Sequence, residues 1–194
     1  MKKIVLVFVL TMLSAQVANA ANGYYAGVSA GQSKVSDFCD GVPGGVSCND
    51  SDTGWKVFGG YQATENFGIE VSWVDFGEAI LDVTPAGFPL TVTGEASGFG
   101  VVGTGMLPVS ERFGLFGKVG VFRWDLEVRA DVFGQSAAVE DDGIGLTYGF
   151  GAKVKVTENV GIRVEWEQFP DVGNNDTTGE DDLSLLSAGV VLSF

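Results

Sequence analysis

The amino-acid sequence predicts an all-β protein, an eight-stranded antiparallel up-and-down β-barrel that crosses a membrane. Three observations support this fold class. A turn motif occurs three times, the segments beside each copy alternate apolar with small or polar residues, and tight turns alternate with long polar connections. Alternation with a period of two is typical of strands. Alternating short and long connections are typical of transmembrane barrels.

The repeated turn consists of a hydroxyl residue, Glu, a polar residue, an apolar residue, Gly and an aliphatic residue. Its copies begin at Thr64, Ser110 and Thr157, which lie 46 and 47 residues apart. Repeats of this length indicate a repeated supersecondary unit, and each copy is typical of the tight turn of a β-hairpin. Three hairpins supply six strands, and one strand before and one after them make eight.

The first half of the chain supplies four of these strands. Alternation predicts strands at 24–33, 54–63 and 69–74. In the third of these, Ile, Val and Trp alternate with Glu, Ser and Val. The fourth strand ends at Leu107, after a connection at 77–93 that contains two prolines.

The second half repeats the pattern. Alternating residues predict strands at 115–122, 145–154, 162–167 and 186–194. In the last strand Leu186, Ala188, Val190, Leu192 and Phe194 share one phase. Besides 77–93, three further segments are predicted to be long polar connections: 34–53, 127–143 and 170–182.

The first twenty residues predict a secretory signal peptide, so that 1–20 is the leader and 21–194 is the barrel domain. Two lysines precede an apolar run from Ile4 to Leu13, and a small-residue cleavage site ends at Ala20. A helical membrane anchor is the alternative. It is disfavoured because the run is shorter than the ~20 residues that a spanning helix needs.

Composition excludes several classes of function. The chain has 25 acidic and 11 basic residues, and loss of the two leader lysines leaves a formal charge of −16, which argues against nucleic-acid partners. A metal site is disfavoured because the chain has no His and only two Cys. An enzyme is disfavoured because enzymes among outer-membrane barrels generally use a histidine, and no cofactor is expected. Cys39 and Cys48 are predicted to form a local disulfide in an exported protein, with two free thiols as the alternative. The paired carboxylates at 141–142 and 180–182 are interpreted as solvated loops, with a weak divalent-cation site as the sharper alternative.

The charges within the strands indicate which face meets lipid. A lipid-facing Arg or Lys at mid-depth costs ~2–4 kcal/mol, so these charges should point inward and pair. The predicted lumen ionic network is Glu70, Lys118, Lys153, Arg163 and Glu165. The opposite, apolar face carries aromatic residues near both strand ends, as interfacial girdles do. The predicted girdle residues are Tyr24, Trp55, Tyr61, Trp73, Trp166 and Phe194.

One lumen pair is predicted specifically. Glu70 and Arg163 each lie two residues beyond a turn glycine, Gly68 or Gly161, so they should lie at similar depth. Their strands face one another across an eight-stranded barrel. Lys118 and Lys153 could instead compete for Glu70, with Glu165 taking Arg163.

Several motifs carry a resemblance to a known family. The sequence Phe-Gly-Gly-Tyr-Gln at 58–62, followed by Gly-Ile-Glu-Val at 68–71, resembles the transmembrane domain of the outer membrane protein A (OmpA) family. Segments at 107–109, 151–157 and 163–166 fit as well. The resemblance covers nearly all of the expected mature chain. It implies a lumen closed by an acid, here Glu70, facing an arginine, here Arg163.

The chain also departs from the family pattern. The family has a basic residue inside strand four, where this chain has Thr104, and an acid inside strand six, where it has Lys153. Many members continue into a periplasmic peptidoglycan-binding domain, and that activity is not expected of a chain ending at Phe194.

The resemblance also implies a location and partners. The expected location is the outer membrane of a Gram-negative bacterium, with membrane lipid and lipopolysaccharide as partners. The in-phase Phe194 resembles the signal read by the barrel-assembly machinery. A non-enzymatic structural and surface-interaction barrel with a largely closed lumen is the leading hypothesis. A narrow porin-like channel, or an adhesin or receptor acting through the loops, are the alternatives.

Overall fold

The computed structural model describes residues 23–36, 39, 47–83, 90–132, 135–174 and 179–194, and the expected signal peptide lies outside them. The described residues form nine strands. They are β1 (Gly23–Val35), β2 (Ser47–Asn49), β3 (Ser51–Gln62), β4 (Phe67–Val83), β5 (Leu90–Pro108), β6 (Phe113–Val132), β7 (Gln135–Lys155), β8 (Val160–Asn174) and β9 (Gly179–Ser193). Within those ranges no helix has the length and hydropathy to cross a membrane.

Eight of the strands close into an antiparallel barrel, as predicted. Each pairs with its neighbours in chain order, and β1 pairs with β9 to complete the ring, while the short β2 pairs with the outer part of β4. A closed sheet has no free edge within the lipid, so its backbone groups are satisfied by neighbouring strands.

The predicted long connections are shorter in the structure than in the sequence interpretation. Most of 77–93 and 127–143 is strand, because β4 pairs with β5 out to Val83 and β6 pairs with β7 out to Val132. Similarly, β8 and β9 pair as far as Asn174 and Gly179. About ten residues of each strand are enough to cross the membrane. The hairpins continue beyond that length because backbone hydrogen bonds between strands do not require an apolar face.

The repeated motif forms the three short turns, as predicted, and its side chains explain the repeat. In the first turn, the Thr64 hydroxyl accepts the backbone N–H groups of Asn66 and Phe67 at 3.3 and 3.0 Å, and Ser110 and Thr157 do the same in their turns. Such hydroxyl-to-backbone bonds stabilise turns. The glycine is needed because a Cβ at Gly68 would lie 2.8 Å from the carbonyl oxygen of Tyr61.

The two faces of the barrel follow the predicted alternation. Ile69, Val71 and other apolar residues of one phase are exposed on the outside, whereas Glu70 and Ser72 of the other phase are buried inside. Two β-bulges interrupt the alternation near the external end, between Asp75 and Glu78 in β4 and between Phe169 and Val172 in β8. Bulges re-aim side chains, so the phase changes beyond them.

Candidate functional site

The lumen is the candidate site, because its charged side chains converge there from several strands. Inward-facing positions of β3, β4, β6 and β8 supply six charged residues, each 5% exposed or less. We call these six residues the lumen ion network: Lys56, Glu70, Lys118, Arg163, Glu165 and Glu167. Its three cations and three anions balance formally, as buried charges must if they are to remain ionised.

Arg163 and Glu70 form a bidentate pair across the barrel. Arg163 Nη1 lies 2.5 Å from Glu70 Oε2 and its Nη2 lies 3.1 Å from Oε1, while Nη2 also donates to Glu165 at 2.5 Å. The guanidinium carbon lies 4.6 Å from the ring centroid of Phe58 and 4.3 Å from that of Phe116. This planar fork, held between two rings, combines a charge-assisted bidentate bond with cation–π contacts.

The two lysines connect the remaining carboxylates. Lys118 Nζ lies 2.8 Å from Glu165 Oε2 and 3.6 Å from Glu70 Oε1, and it also contacts Glu167. Lys56 contacts both Glu165 and Glu167. Each cation therefore meets two or three anions, and this many-fold pairing offsets the cost of removing the charges from water.

The structure places one predicted network residue apart from the others. Lys153 Nζ lies 3.5 Å from Ser193 Oγ and 5.8 Å from the ring centroid of Tyr25, and no ion pair among the described residues includes it. Its register partner is Arg163, and adjacent like charges repel. Lys153 therefore lies at the turn end of the network, level with Arg163.

Sequence reasoning left three contributors out of the network. Lys56 and Glu167 had the inward phase, which was the available signal, but they were not included. Tyr25 has the same phase in β1, and its hydroxyl donates to Glu70 Oε2 at 3.0 Å. An inventory of all polar residues of one phase, rather than of charges at mid-strand, would have found them.

An apolar layer fills the lumen on the external side of the ion network. Three of its rings contact one another: the Phe122 and Phe169 centroids lie 4.6 Å apart, and Phe76 lies 4.9 Å from Phe169. We call this layer the apolar plug: Val74, Phe76, Ala96, Phe122, Trp124, Phe169, Val172, Leu183 and Leu185. Two layers of side chains therefore fill the lumen: the ion network toward the turn end and the apolar plug on its external side.

The predicted girdle residues lie at two levels of the outer surface. At the turn end, the rings of Tyr24 and Tyr61 are 4.9 Å apart, and Phe194 donates its backbone N–H to the Tyr24 carbonyl at 2.9 Å. At the loop end, the rings of Trp55 and Trp73 are 4.7 Å apart. Trp166 lies on the neighbouring part of the wall, 5.4 Å from the ring of Phe150. Amphipathic rings at two levels are suited to the two interfaces of a bilayer.

The external region contains the predicted disulfide and many carboxylates. Cys39 and Cys48 are bonded, which confirms that prediction and ties the first connection to β2. The paired carboxylates do not lie in loops as expected: Asp141 and Asp142 are in β7, and 180–182 begin β9. Asp142 accepts from Arg123 at 2.9 Å.

Comparison with known sequences gives a family match. Residues 19–194 match the profile of the family described as the OmpA-like transmembrane domain. Outer membrane protein A of Shigella flexneri is 24% identical over 182 residues, and that of Yersinia pseudotuberculosis is 26% identical over 190 residues. Each alignment covers 93% of this chain and 51% of the relative. The chain therefore spans about half the length of the curated relatives that it matches.

Solved structures share the fold at low sequence identity. Neisserial surface protein A has a TM-score of 0.57 at 16% identity, with 92% of this chain and 100% of that chain covered. The attachment invasion locus protein Ail of Yersinia pestis has a TM-score of 0.56 at 16% identity, with 90% and 99% covered. A second Ail structure, in complex with the heparin analogue sucrose octasulfate, has a TM-score of 0.57 at 14% identity, with the same coverage.

Proposed function

The chain belongs to the OmpA-like transmembrane domain family and resides in the outer membrane of a Gram-negative bacterium, and we propose that it acts there as a closed structural barrel that presents an acidic surface outside the cell. We expect no enzymatic activity, because the sequence contains no histidine. A narrow channel for ions or small solutes is the alternative, although the interior of an eight-stranded barrel is only just wide enough for side chains to fill.

The observation that carries the proposal is the double obstruction of the lumen. Arg163 and Glu70 join opposite walls at one level, and the rings of Phe122 and Phe169 meet at the next. An ion crossing the first level must separate buried pairs, and one crossing the second must shed its water among apolar side chains. Both steps are costly in a medium of low dielectric constant.

Single-channel conductance of the refolded mature barrel in planar bilayers tests this proposal. The expected record is a closed baseline, interrupted at most by brief and infrequent openings. A steady open level in most insertions would reject the closed barrel in favour of a narrow channel. The double variant Glu70→Gln with Phe122→Ala provides a positive control, because it weakens both obstructions in one molecule.

The external surface supports interaction with cationic partners. A hollow near the external end of the barrel is lined by carboxylates from five strands, including Asp52, Asp75, Glu95, Asp125 and Glu140. The negative electrostatic potential of these carboxylates should attract cations and repel polyanions. We therefore expect no binding of sucrose octasulfate, the ligand in the Ail complex, and a soluble heparin analogue in a surface-binding assay measures this directly.

Three further assignments belong to the same proposal. Residues 1–20 act as the signal peptide, so N-terminal sequencing of the outer-membrane form should begin at Ala21; detection of Met1 in that form would contradict it. The barrel contacts membrane lipid and lipopolysaccharide through its apolar outer face. Phe194 serves as the recognition residue for barrel assembly, so its replacement by Gln should lower the amount assembled in the outer membrane.

A further inference from the structure

A cavity of about 170 Å³ lies on the external side of the apolar plug. Its apolar lining includes plug residues Phe76 and Leu183 and wall residues Val92, Leu126 and Val128. These residues come from β4, β5, β6 and β9, so the apolar part of the cavity is formed by strands of the barrel wall. The ion network and the plug separate it from the turn end of the barrel.

Carboxylates interrupt the apolar lining. Asp50, Asp52, Glu78 and Asp181 also border the cavity. An adjoining hollow of about 580 Å³ shares Asp52 and Glu78 and is lined by further acidic residues. An apolar chamber in a strongly negative field should select molecules that have an apolar body and a positive charge.

We propose that this cavity binds small amphipathic organic cations of the arylalkylammonium class, with the ring among the apolar walls and the ammonium group at the carboxylates. Size supports a single ring, because a dry cavity of about 150 Å³ lined by apolar side chains holds one benzene molecule. The carboxylates attract the ammonium group electrostatically, whereas an uncharged analogue is not attracted and an anionic analogue is repelled. Binding in this cavity does not require a conducting lumen, because the cavity lies on the external side of the ion network.

Gly94 provides a selective way to fill the cavity. It borders the cavity, and a Cβ built on it would meet no atom within 4 Å. Gly94→Phe should therefore place its ring where the ligand ring would lie, without displacing the backbone. The matched control is Gly103→Phe on the same strand, because Gly103 faces the lipid side and its Cβ would come no closer than 3.9 Å to Val119.

The experiment is a ¹⁹F NMR titration of 4-fluorophenethylamine with the refolded barrel in lipid nanodiscs. Nanodiscs without protein measure partition of the probe into lipid. We expect saturable binding to the wild type and to Gly103→Phe, and none above the lipid background for Gly94→Phe. Glu78→Gln should weaken binding about two- to fivefold, as loss of one partly exposed charge does.

Different results test the location of the site and its preference for cations. The site is overturned if the wild type shows no saturable binding, or if Gly94→Phe binds the probe with the same affinity as the wild type. Equal affinity for the uncharged analogue 2-(4-fluorophenyl)ethanol overturns the assignment to cations. Circular dichroism and the heat-dependent gel shift of each refolded variant verify that the barrel is folded before its titration is interpreted.

Discussion

Ion pairs occur in two regions of this molecule, and the regions use them differently. In the lumen, each cation of the ion network contacts two or three buried carboxylates. On the external region, pairs such as Arg123 with Asp142 join one cation to one anion, with both side chains about 60% exposed. A charge that is excluded from water has more partners, because protein groups must replace its lost hydration.

The comparison also separates stability from function. The charges of the lumen ion network are balanced among themselves and are buried away from external partners. Outside, carboxylates outnumber the basic residues around them, so the surplus charge remains to act on molecules in the medium. Four predictions address this division, from the largest expected effect to the smallest.

Glu165→Gln should produce the largest loss of stability. Glu165 contacts Lys56, Lys118 and Arg163, and its neutral isostere leaves three buried cations facing two anions. Removal of one partner from a buried pair costs ~3–5 kcal/mol, and we expect a decrease of that size in the free energy of unfolding. Urea unfolding of the barrel in phospholipid vesicles, followed by tryptophan fluorescence, measures it.

The control for this prediction is Glu65→Gln in the first turn. Glu65 is exposed, and a surface substitution of this kind changes stability by less than ~0.5 kcal/mol. If both variants unfold at the same urea concentration as the wild type, the prediction is wrong, and water in the lumen stabilises the charges without the ion pairs.

Loss of the disulfide should have the next largest effect. The bond links residues nine positions apart, and the chain-entropy model gives about 2–3 kcal/mol for a loop of that size. We expect Cys39→Ser with Cys48→Ser to cost no more than this, and to increase proteolysis in the first connection more than unfolding of the barrel. Limited proteolysis and urea unfolding of the same sample compare the two. A greater loss of barrel stability would show that β2 supports the wall of the barrel.

Glu70 and Arg163 should be energetically coupled. A double-mutant cycle with Glu70→Gln and Arg163→Met isolates the interaction from the separate cost of each change, and residues in one network typically couple by ~0.5–3 kcal/mol. We expect a value in the upper part of that range because the pair is bidentate and buried. A coupling energy of zero would mean that lumen water, and not the partner, satisfies each charge.

The sequence allowed prediction of the fold, whereas it indicated only part of the lumen ion network and none of the structure at the external end. Period-2 alternation determines which residues face inward wherever the sheet is regular, and the inward positions of Glu70 and Arg163 follow that period. The bulge after Asp75 breaks that period, so that Phe76 and Ala79, three positions apart, both face inward. Alternation read through the bulge gives the wrong face beyond it.

The extended hairpins were missed for a related reason. Prolines and paired carboxylates at 77–93 and 127–143 are typical of loops in solution, but strands outside the membrane tolerate polar residues on both faces. The apolar plug and the cavity depend on those extensions and on both bulges, so they follow from pairing between distant segments and not from any local pattern.

Arg123 and Asp142 should show the smallest effect, and they provide the direct test of the comparison. The pair has good geometry at 2.9 Å, similar to the 2.8 Å between Lys118 and Glu165, so distance alone predicts similar energies. Exposure predicts otherwise, because water competes for both groups and exposed pairs contribute ~0.2–1 kcal/mol. A cycle with Arg123→Gln and Asp142→Asn should therefore give a smaller coupling than the lumen cycle, and added salt should reduce it further. Equal couplings in the two cycles, or equal resistance to salt, would show that the external wall excludes water as well as the lumen does. The surplus carboxylates there would then be costly to the fold and not simply available to partners.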